Sequence, residues 1–190
     1  MSDSADRPIH LLAVSGSLRA ASTNGALVGA VPLVAPAGVT VDVYRGLAGL
    51  PHFDPDLDVE PAPPAVAEWR ARLAAADGVL ISSPEYAHGV PGTFKNALDW
   101  LVGSGELMHK PLALVNPSPM SRFAHPQLAE TLVTMMAVPV PEAAVTIPLA
   151  GRGLDSAAIA ADAELGTALA AAVAALAHAA AAARVARAET

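Results

Sequence analysis

The chain contains no cysteine in its 190 residues. Disulfides, thiolate nucleophiles and cysteine-ligated metal centres are therefore excluded, and any redox chemistry would require a bound cofactor. Charged residues are also scarce, at 15%, and the net charge is −7. Because nucleic acids and anionic membranes attract basic surfaces, this charge balance argues against both as partners. We expect no metal site.

Neither end of the chain indicates a secreted or membrane protein. Residues 1–8 have no apolar core, unlike a secretory signal. Residues 167–186 are long enough to span a membrane, but they are rich in weakly hydrophobic alanine and are interrupted by His178 and Arg184. A packed surface helix is the better interpretation. We therefore expect a soluble cytoplasmic protein, with residues 1–190 forming one domain.

Strand-like and helix-like patterns alternate along the chain. Apolar and β-branched runs predict strands at residues 9–14, 39–44, 79–82, 111–115 and 145–149. Helical patterns predict helices at residues 25–34, 65–76, 92–102, 125–136 and 163–186. Pro32 should kink the first helix or mark its last turn. Residues 45–64 are rich in proline and aspartate and read as a long loop.

This alternation predicts an α/β three-layer sandwich with a parallel sheet covered on both faces. Five units in this length fit the flavodoxin-like strand order 2-1-3-4-5. In that order the loops after strands one and three border the same crevice. Both loops have unusual sequences.

The first loop has the ingredients of a phosphate site. It joins a strand to a helix amino terminus, where free N–H groups and the helix dipole favour an anion. It also supplies hydroxyl, guanidinium and amide donors from Ser15, Ser17, Arg19, Ser22, Thr23 and Asn24. It is neither G-x-G-x-x-G nor a Walker loop, which argues against a Rossmann nucleotide site and an NTPase. On these residues alone, a capped helix with solvated polar side chains is an equally good interpretation.

The second loop is stiff. Residues 84–92 contain two glycines and two prolines and connect the third strand to a helix with one apolar face. The glycines would let a flat ligand approach the backbone, and the prolines would hold the loop in shape before it arrives. The alternative is an ordinary strand-to-helix loop.

Both loops resemble those of the NADPH-dependent FMN reductase family. The shared elements are GSLR-x-x-S-x-N at residues 16–24 and PEY-x-x-G-x-PG-x-x-KNA-x-DW at residues 84–100, within a resemblance that covers residues 9–151. The family consists of flavodoxin-like flavoproteins that include quinone, azo-dye and chromate reductases. The resemblance implies an FMN-dependent oxidoreductase that passes hydride from NADPH or NADH to a quinone, azo compound, metal oxyanion or free flavin.

Two other functions remain open. A flavodoxin-type electron carrier would bind FMN without oxidising NAD(P)H. A scaffold that has lost its flavin is a third possibility, but the intact GSLR and PEY loops argue against it.

The resemblance also implies site residues. It places five side chains around the FMN phosphate: Ser15, Ser17, Arg19, Ser22 and Asn24. It places five residues along the isoalloxazine ring, largely through their backbone atoms: Pro84, Glu85, Tyr86, Ala87 and Gly89. Many members have Asn where this chain has Ala87, so a side-chain contact is absent there. His88 could donate a proton, although a solvated loop histidine is the more common case. No catalytic side chain is required, because the flavin carries the chemistry.

The third loop, residues 116–122, departs from the Gly-rich version common in the family. Ser118 could contact the flavin edge, and Arg122 could hold a dinucleotide phosphate. A plain loop is the alternative.

The order and spacing of Lys95 and Asp99 indicate that the protein forms an oligomer. Lysine four residues before an acid is the weaker orientation within a helix, so we expect this pair to face a partner subunit rather than to support its own helix. Family members are commonly dimers or tetramers, which implies a homodimer or homotetramer. Trp69, Trp100 and the Met135–Met136 pair should lie in the core or at an interface.

Overall fold

The computed structural model describes residues 7–188. Its centre is a five-stranded parallel sheet in the order β2-β1-β3-β4-β5, which confirms the predicted order. The strands are β1 (Ile9–Ser15), β2 (Val39–Tyr44), β3 (Gly78–Ser82), β4 (Pro111–Leu114) and β5 (Val138–Pro139). The helices are α1 (Thr23–Val34), α2 (Pro64–Ala75), α3 (Gly92–Asp99), α4 (Ala124–Thr134), α5 (Ser156–Ala161) and α6 (Ala163–Ala188).

The sheet separates two apolar cores. Successive residues of a strand point to opposite faces, so Leu11 and Ala13 lie in one core and Leu12 and Val14 in the other. Helices α1, α5 and α6 cover the first face, and α2, α3 and α4 cover the second. The predicted three-layer α/β sandwich is therefore confirmed. Burial on both faces explains why all five residues of β3 are buried.

The fifth strand is not where the sequence places it. The prediction of residues 145–149 is wrong, since β5 is Val138–Pro139, where the Val138 N–H donates to the Lys110 carbonyl oxygen at 2.9 Å. A 3-10 turn at Pro141–Ala143 interrupts the strand, and proline has no N–H to continue the ladder. Residues 145–149 continue along the same edge of the sheet, where Thr146 pairs with Asn116 in an isolated parallel β-bridge.

The other elements lie near their predicted positions. Pro32 lies in the last turn of α1, as expected. Helix α5 was not predicted from the sequence. Its N-cap Asp155 accepts a 2.8 Å hydrogen bond from the Ala158 N–H. Among the helices of residues 7–188, α6 alone is long and apolar enough to cross a membrane, by length and composition only. Its Leu169, Val173 and Leu176 are fully buried in the first core, as in the core helix of a soluble protein.

The second half of the PEY motif anchors the loop after β2. The Asn96 side chain accepts from the Phe53 N–H at 2.7 Å and donates to the Pro51 carbonyl oxygen at 2.9 Å. The buried Trp100 donates its indole N–H to the same oxygen at 2.9 Å. Trp69 is also buried, so both tryptophans lie in the core as expected. The KNA-x-DW run therefore holds a loop that borders the carboxyl edge of the sheet.

Lys95 and Asp99 form an ion pair with each other on the exposed side of α3. The expectation that they would not support their own helix is wrong, because the four-residue spacing brings the two charges together. Their contact with a partner subunit stays a prediction.

Candidate functional site

The loops after β1 and β3 meet at the carboxyl edge of the sheet. The Ser82 hydroxyl donates to the Asn24 side-chain oxygen at 2.8 Å, and the Gly16 N–H donates to the Ser82 carbonyl oxygen at 2.9 Å. A Cβ atom added at Gly16 would lie 2.5 Å from the Ser83 hydroxyl oxygen. Glycine is therefore required at position 16 for the two loops to approach this closely.

Three serines shape the first loop. Ser22 is the N-cap of α1, and its hydroxyl oxygen accepts from the Gly25 N–H at 3.2 Å. The hydroxyl oxygen of Ser17 accepts from the Arg19 N–H at 3.3 Å. Ser15 is the last residue of β1, rather than the first residue after it, and its hydroxyl oxygen accepts from the Ser17 N–H at 3.3 Å. Each hydroxyl keeps its own hydrogen for a further acceptor.

Unpartnered donors follow these serines. The backbone N–H groups of residues 20–24 donate to no acceptor within residues 7–188. The exposed Arg19 side chain likewise has no hydrogen bond or ion pair in the described part of the chain. The first N–H groups of a helix have no partner within the helix, and together with the preceding loop N–H groups and a neighbouring guanidinium they suit an anion.

Residues 19–23 of this loop line a cavity of about 590 Å³. Arg45, the residue immediately after β2, lines the same cavity, and its side chain also has no partner in the part of the chain that the structure describes. The acid in the lining is Asp155, which is already engaged as the cap of α5. The cavity therefore concentrates positive charge in a protein of net charge −7. The sequence analysis did not single out Arg45, although its position directly after β2, the strand that pairs with β1, could have indicated that it lies near the first loop.

The second loop makes a tight turn. Tyr86 and Gly89 exchange two backbone hydrogen bonds, of 3.0 and 2.9 Å. The two residues between them, Ala87 and His88, have φ values of 50° and 64°. This is the backbone of a two-residue hairpin turn that prefers Asn-Gly, and a side chain in the left-handed region costs about 1–2 kcal/mol. Contacts elsewhere must offset this strain.

Those contacts come from α4. The Glu85 carboxylate accepts from the backbone N–H groups of Phe123 at 2.8 Å and Ala124 at 2.9 Å. Hydrogen bonds from Ala124 and Phe123 hold the pKa of this carboxyl below its ordinary value. The His88 ring stacks on Phe123 with a centroid distance of 4.1 Å, and Gln127 donates its side-chain amide to the His88 carbonyl oxygen at 3.2 Å.

A second cavity, of about 320 Å³, lies between the loops that follow β1, β3 and β4. The predicted site residues in its lining are Asn24, Pro84, Glu85 and Ser118. The predicted residues Ser15, Ser17, Arg19 and Ser22 line the first cavity instead. The turn residues Tyr86, Ala87, His88 and Gly89 line neither cavity, and neither does Arg122. The roles of all these residues toward a ligand stay predictions.

Large apolar side chains are exposed on the loops at this edge of the sheet. They are Leu18 (53%), Tyr86 (55%), Met120 (70%) and Phe123 (48%), of which Leu18 lines the first cavity and Met120 lines the second. Exposed apolar side chains around a cleft suit a flat, partly apolar ligand. Sequence reasoning named only Tyr86, because the others are scattered singly over three loops.

The described residues 7–188 contain no group of three or more acidic or histidine side chains that could hold a metal ion. The first cavity, which Arg19 and Arg45 make cationic, and the second cavity are the two candidate binding sites at this edge.

Comparison with known proteins gives a consistent result. Residues 9–151 match the sequence profile of a family described as NADPH-dependent FMN reductase. A quinone reductase of Escherichia coli is 40% identical over 106 residues, which is 55% of each protein, so the chain spans about half the length of this relative. An NAD(P)H-dependent FMN reductase of Pseudomonas aeruginosa is 32% identical over 78% of this chain and 82% of its own length.

A solved structure resembles the whole fold. FerB of Paracoccus denitrificans, described as a flavoenzyme NAD(P)H:(acceptor) oxidoreductase, has a TM-score of 0.72 and 26% sequence identity. The superposition covers 90% of this chain and 96% of FerB.

Proposed function

This chain belongs to the NADPH-dependent FMN reductase family, and we propose that it is an FMN-dependent NAD(P)H oxidoreductase that reduces a small acceptor. The similarity to a quinone reductase makes a quinone the first acceptor to test. Bound FMN would supply the hydride chemistry, and the residues of the protein would bind, orient and shield it. We propose that one domain, residues 1–190, carries out this reaction.

The observation that carries the proposal is the row of free donors after β1. A phosphate dianion placed there would accept from the N–H groups of residues 20–24 and from Arg19, with Arg45 adding a second positive charge. Hydrogen bonds to charged groups contribute about 1.5–3 kcal/mol each, so such a site would bind FMN much more tightly than riboflavin.

We place the isoalloxazine ring in the second cavity, the cleft beside the cationic cavity. The Asn24 side chain lines the cleft, and its neighbours in α1 line the cationic cavity, so a ligand can extend from one to the other. Pro84 and Ser118 would border the ring on opposite loops, and the turn at residues 86–89 would form its rim. We propose no acid–base triad, and a proton-donating role for His88 remains secondary.

The test uses the purified protein, FMN, NADPH, NADH and a benzoquinone. We expect a yellow complex that is bleached by NAD(P)H without a partner protein and regains its colour when the quinone is added. Bleaching only in the presence of a separate reductase would instead identify an electron carrier. Failure to bind FMN would overturn the proposal.

We also propose a cytoplasmic homodimer or homotetramer. Exposed apolar side chains beyond the end of α3, Val102 (68%) and Met108 (48%), support a subunit contact on the side of Lys95 and Asp99. Light scattering on the purified protein tests this. A monomer at micromolar concentration would contradict it.

A further inference from the structure

Helix α4 begins without a cap of its own. Its N-cap residue, Phe123, makes no side-chain hydrogen bond, and its first turn contains no acidic residue. The first N–H groups of a helix need acceptors from elsewhere. Glu85, 38 residues earlier in the chain, supplies them by accepting from the N–H groups of Phe123 and Ala124. Its carboxylate also lies 3.4 Å from the Ser121 hydroxyl.

We propose that Glu85 is a positioning residue, whose carboxylate holds the loop between β4 and α4 at a fixed distance from the loop after β3. This role rests on the proposed FMN function, because that distance sets the opening of the cleft assigned to the ring. Glu85 would act through Phe123 and Ala124 rather than on the reacting atoms. A negative charge at a helix amino terminus is also favoured by the helix dipole.

Two further contacts also hold the loop after β3 against α4. The stack of His88 on Phe123 and the hydrogen bond from Gln127 to the His88 carbonyl oxygen join the same loop to the same helix. They bind the turn whose residues 87 and 88 have left-handed backbone angles. The loop after β3 therefore has its shape and its distance from α4 determined by protein contacts before any ligand arrives.

The experiment compares two acidic caps. Asp162 accepts from the N–H groups of Glu164 (3.1 Å) and Leu165 (3.0 Å) at the start of α6, and it lines neither cavity. Asp162→Ala is therefore the matched control for Glu85→Ala. Glu85→Gln keeps the shape of the side chain and one acceptor oxygen, so it gives a result even where the alanine variant does not fold.

The first readout is amide hydrogen exchange in the flavin-free protein. We expect exchange in residues 118–124 to be about tenfold faster in Glu85→Ala, as for a lost helix cap, with Glu85→Gln in between and Asp162→Ala at the wild-type rate. Unchanged exchange in both Glu85 variants would overturn the proposal. This readout needs no cofactor, so it stands even if the protein binds no FMN and the proposed function falls.

The second readout is the flavin itself. We expect Glu85→Ala to bind FMN about tenfold more weakly, with a changed visible circular dichroism spectrum at saturation, and Glu85→Gln to recover most of both. Asp162→Ala should bind FMN within about twofold of wild type. An equal loss in the Asp162 variant would show that general destabilisation, and not positioning by Glu85, weakens binding.

Discussion

The two edges of the sheet differ in whether their polar groups have partners within the protein. At the amino edge the buried Asp77 accepts from the Arg7 guanidinium at 2.7 and 2.9 Å and from the His10 N–H at 2.9 Å. The buried Lys110 donates to two carbonyl oxygens at the end of α2, of Leu73 at 2.6 Å and Ala76 at 2.5 Å. At the carboxyl edge the N–H groups of residues 20–24 have no acceptor within residues 7–188.

This difference between the two edges indicates that the polar groups of the amino edge contribute to stability, whereas those of the carboxyl edge are available for ligand binding. A polar group that is paired within the protein contributes to folding, and removing its partner is costly because a buried group is left unsatisfied. A donor left free at a cavity contributes little to folding and is available to a ligand. Variants at the amino edge should therefore change stability without changing FMN affinity, and variants at the carboxyl edge should do the reverse.

The largest expected effect is that of Asp77→Ala. It leaves the His10 N–H without its acceptor and removes the carboxylate that pairs with Arg7, so we expect a loss of about 3 kcal/mol in the free energy of unfolding. Urea denaturation measures the loss. FMN affinity, measured where the variant is folded, should stay within about twofold of wild type. A loss of FMN affinity together with the loss of stability would contradict the proposed difference between the two edges.

Arg19→Ala should show the opposite pattern. Loss of one guanidinium from the phosphate should weaken FMN binding by about ten- to a hundredfold, with stability unchanged within about 0.5 kcal/mol. Arg152→Ala is the control, since Arg152 is an exposed arginine that pairs with Asp162 and lines neither cavity. Fluorescence titration with FMN compares the three proteins. Equal affinities would refute the phosphate assignment.

Lys110 gives a pH-dependent prediction. Burial, with a smaller effect from the Arg187 charge, lowers the pKa of Lys110 to about 8. Below pH 8 the lysine is protonated in both states. Above pH 8 the folded protein loses this proton before the unfolded chain does, so stability should rise relative to Lys110→Met, by about 1–2 kcal/mol between pH 8 and 9.5. Urea denaturation at these two pH values measures the rise, and a parallel pH dependence in the two proteins would contradict it.

The smallest expected effect is at the strained turn. Ala87 has a φ of 50°, and asparagine tolerates that conformation better than alanine. Ala87→Asn should therefore stabilise the protein by about 0.5–1 kcal/mol. The same substitution at the exposed Ala37, which has no left-handed backbone, should change stability by less than about 0.5 kcal/mol. A destabilised Ala87→Asn variant in thermal denaturation would mean that Ala87 is not strained.

Local patterns predicted most of the fold. Apolar runs predicted the first four strands, and strand–helix alternation predicted their order, because both signals lie within short segments. The fifth strand was misplaced because Pro139 and Pro141 make Val138–Pro139 look unlike a strand, whereas the β-branched run at residue 145 looks like one. Pairing with Lys110 and Leu112 decides the outcome, and that contact is not local.

The candidate site, like the fold, could be predicted only in part from the sequence. The donors of the first loop could be predicted, because a strand, a polar loop and a helix start are adjacent in the sequence. The capping of α4 by Glu85 could not, since the sequence shows only that Phe123 is a poor cap. The ion pair of Lys95 with Asp99 shows that a weak sequence orientation does not prevent pairing.

The central claim is that free backbone donors after β1 hold the phosphate of FMN. The most direct test is an amide NMR titration of the wild-type protein with FMN and, separately, with riboflavin. The N–H signals of residues 20–24 should move downfield with FMN and stay near their free positions with riboflavin, while the His10 N–H at the amino edge should not respond to either. Equal responses of residues 20–24 to both ligands, or no response to FMN, would contradict the account.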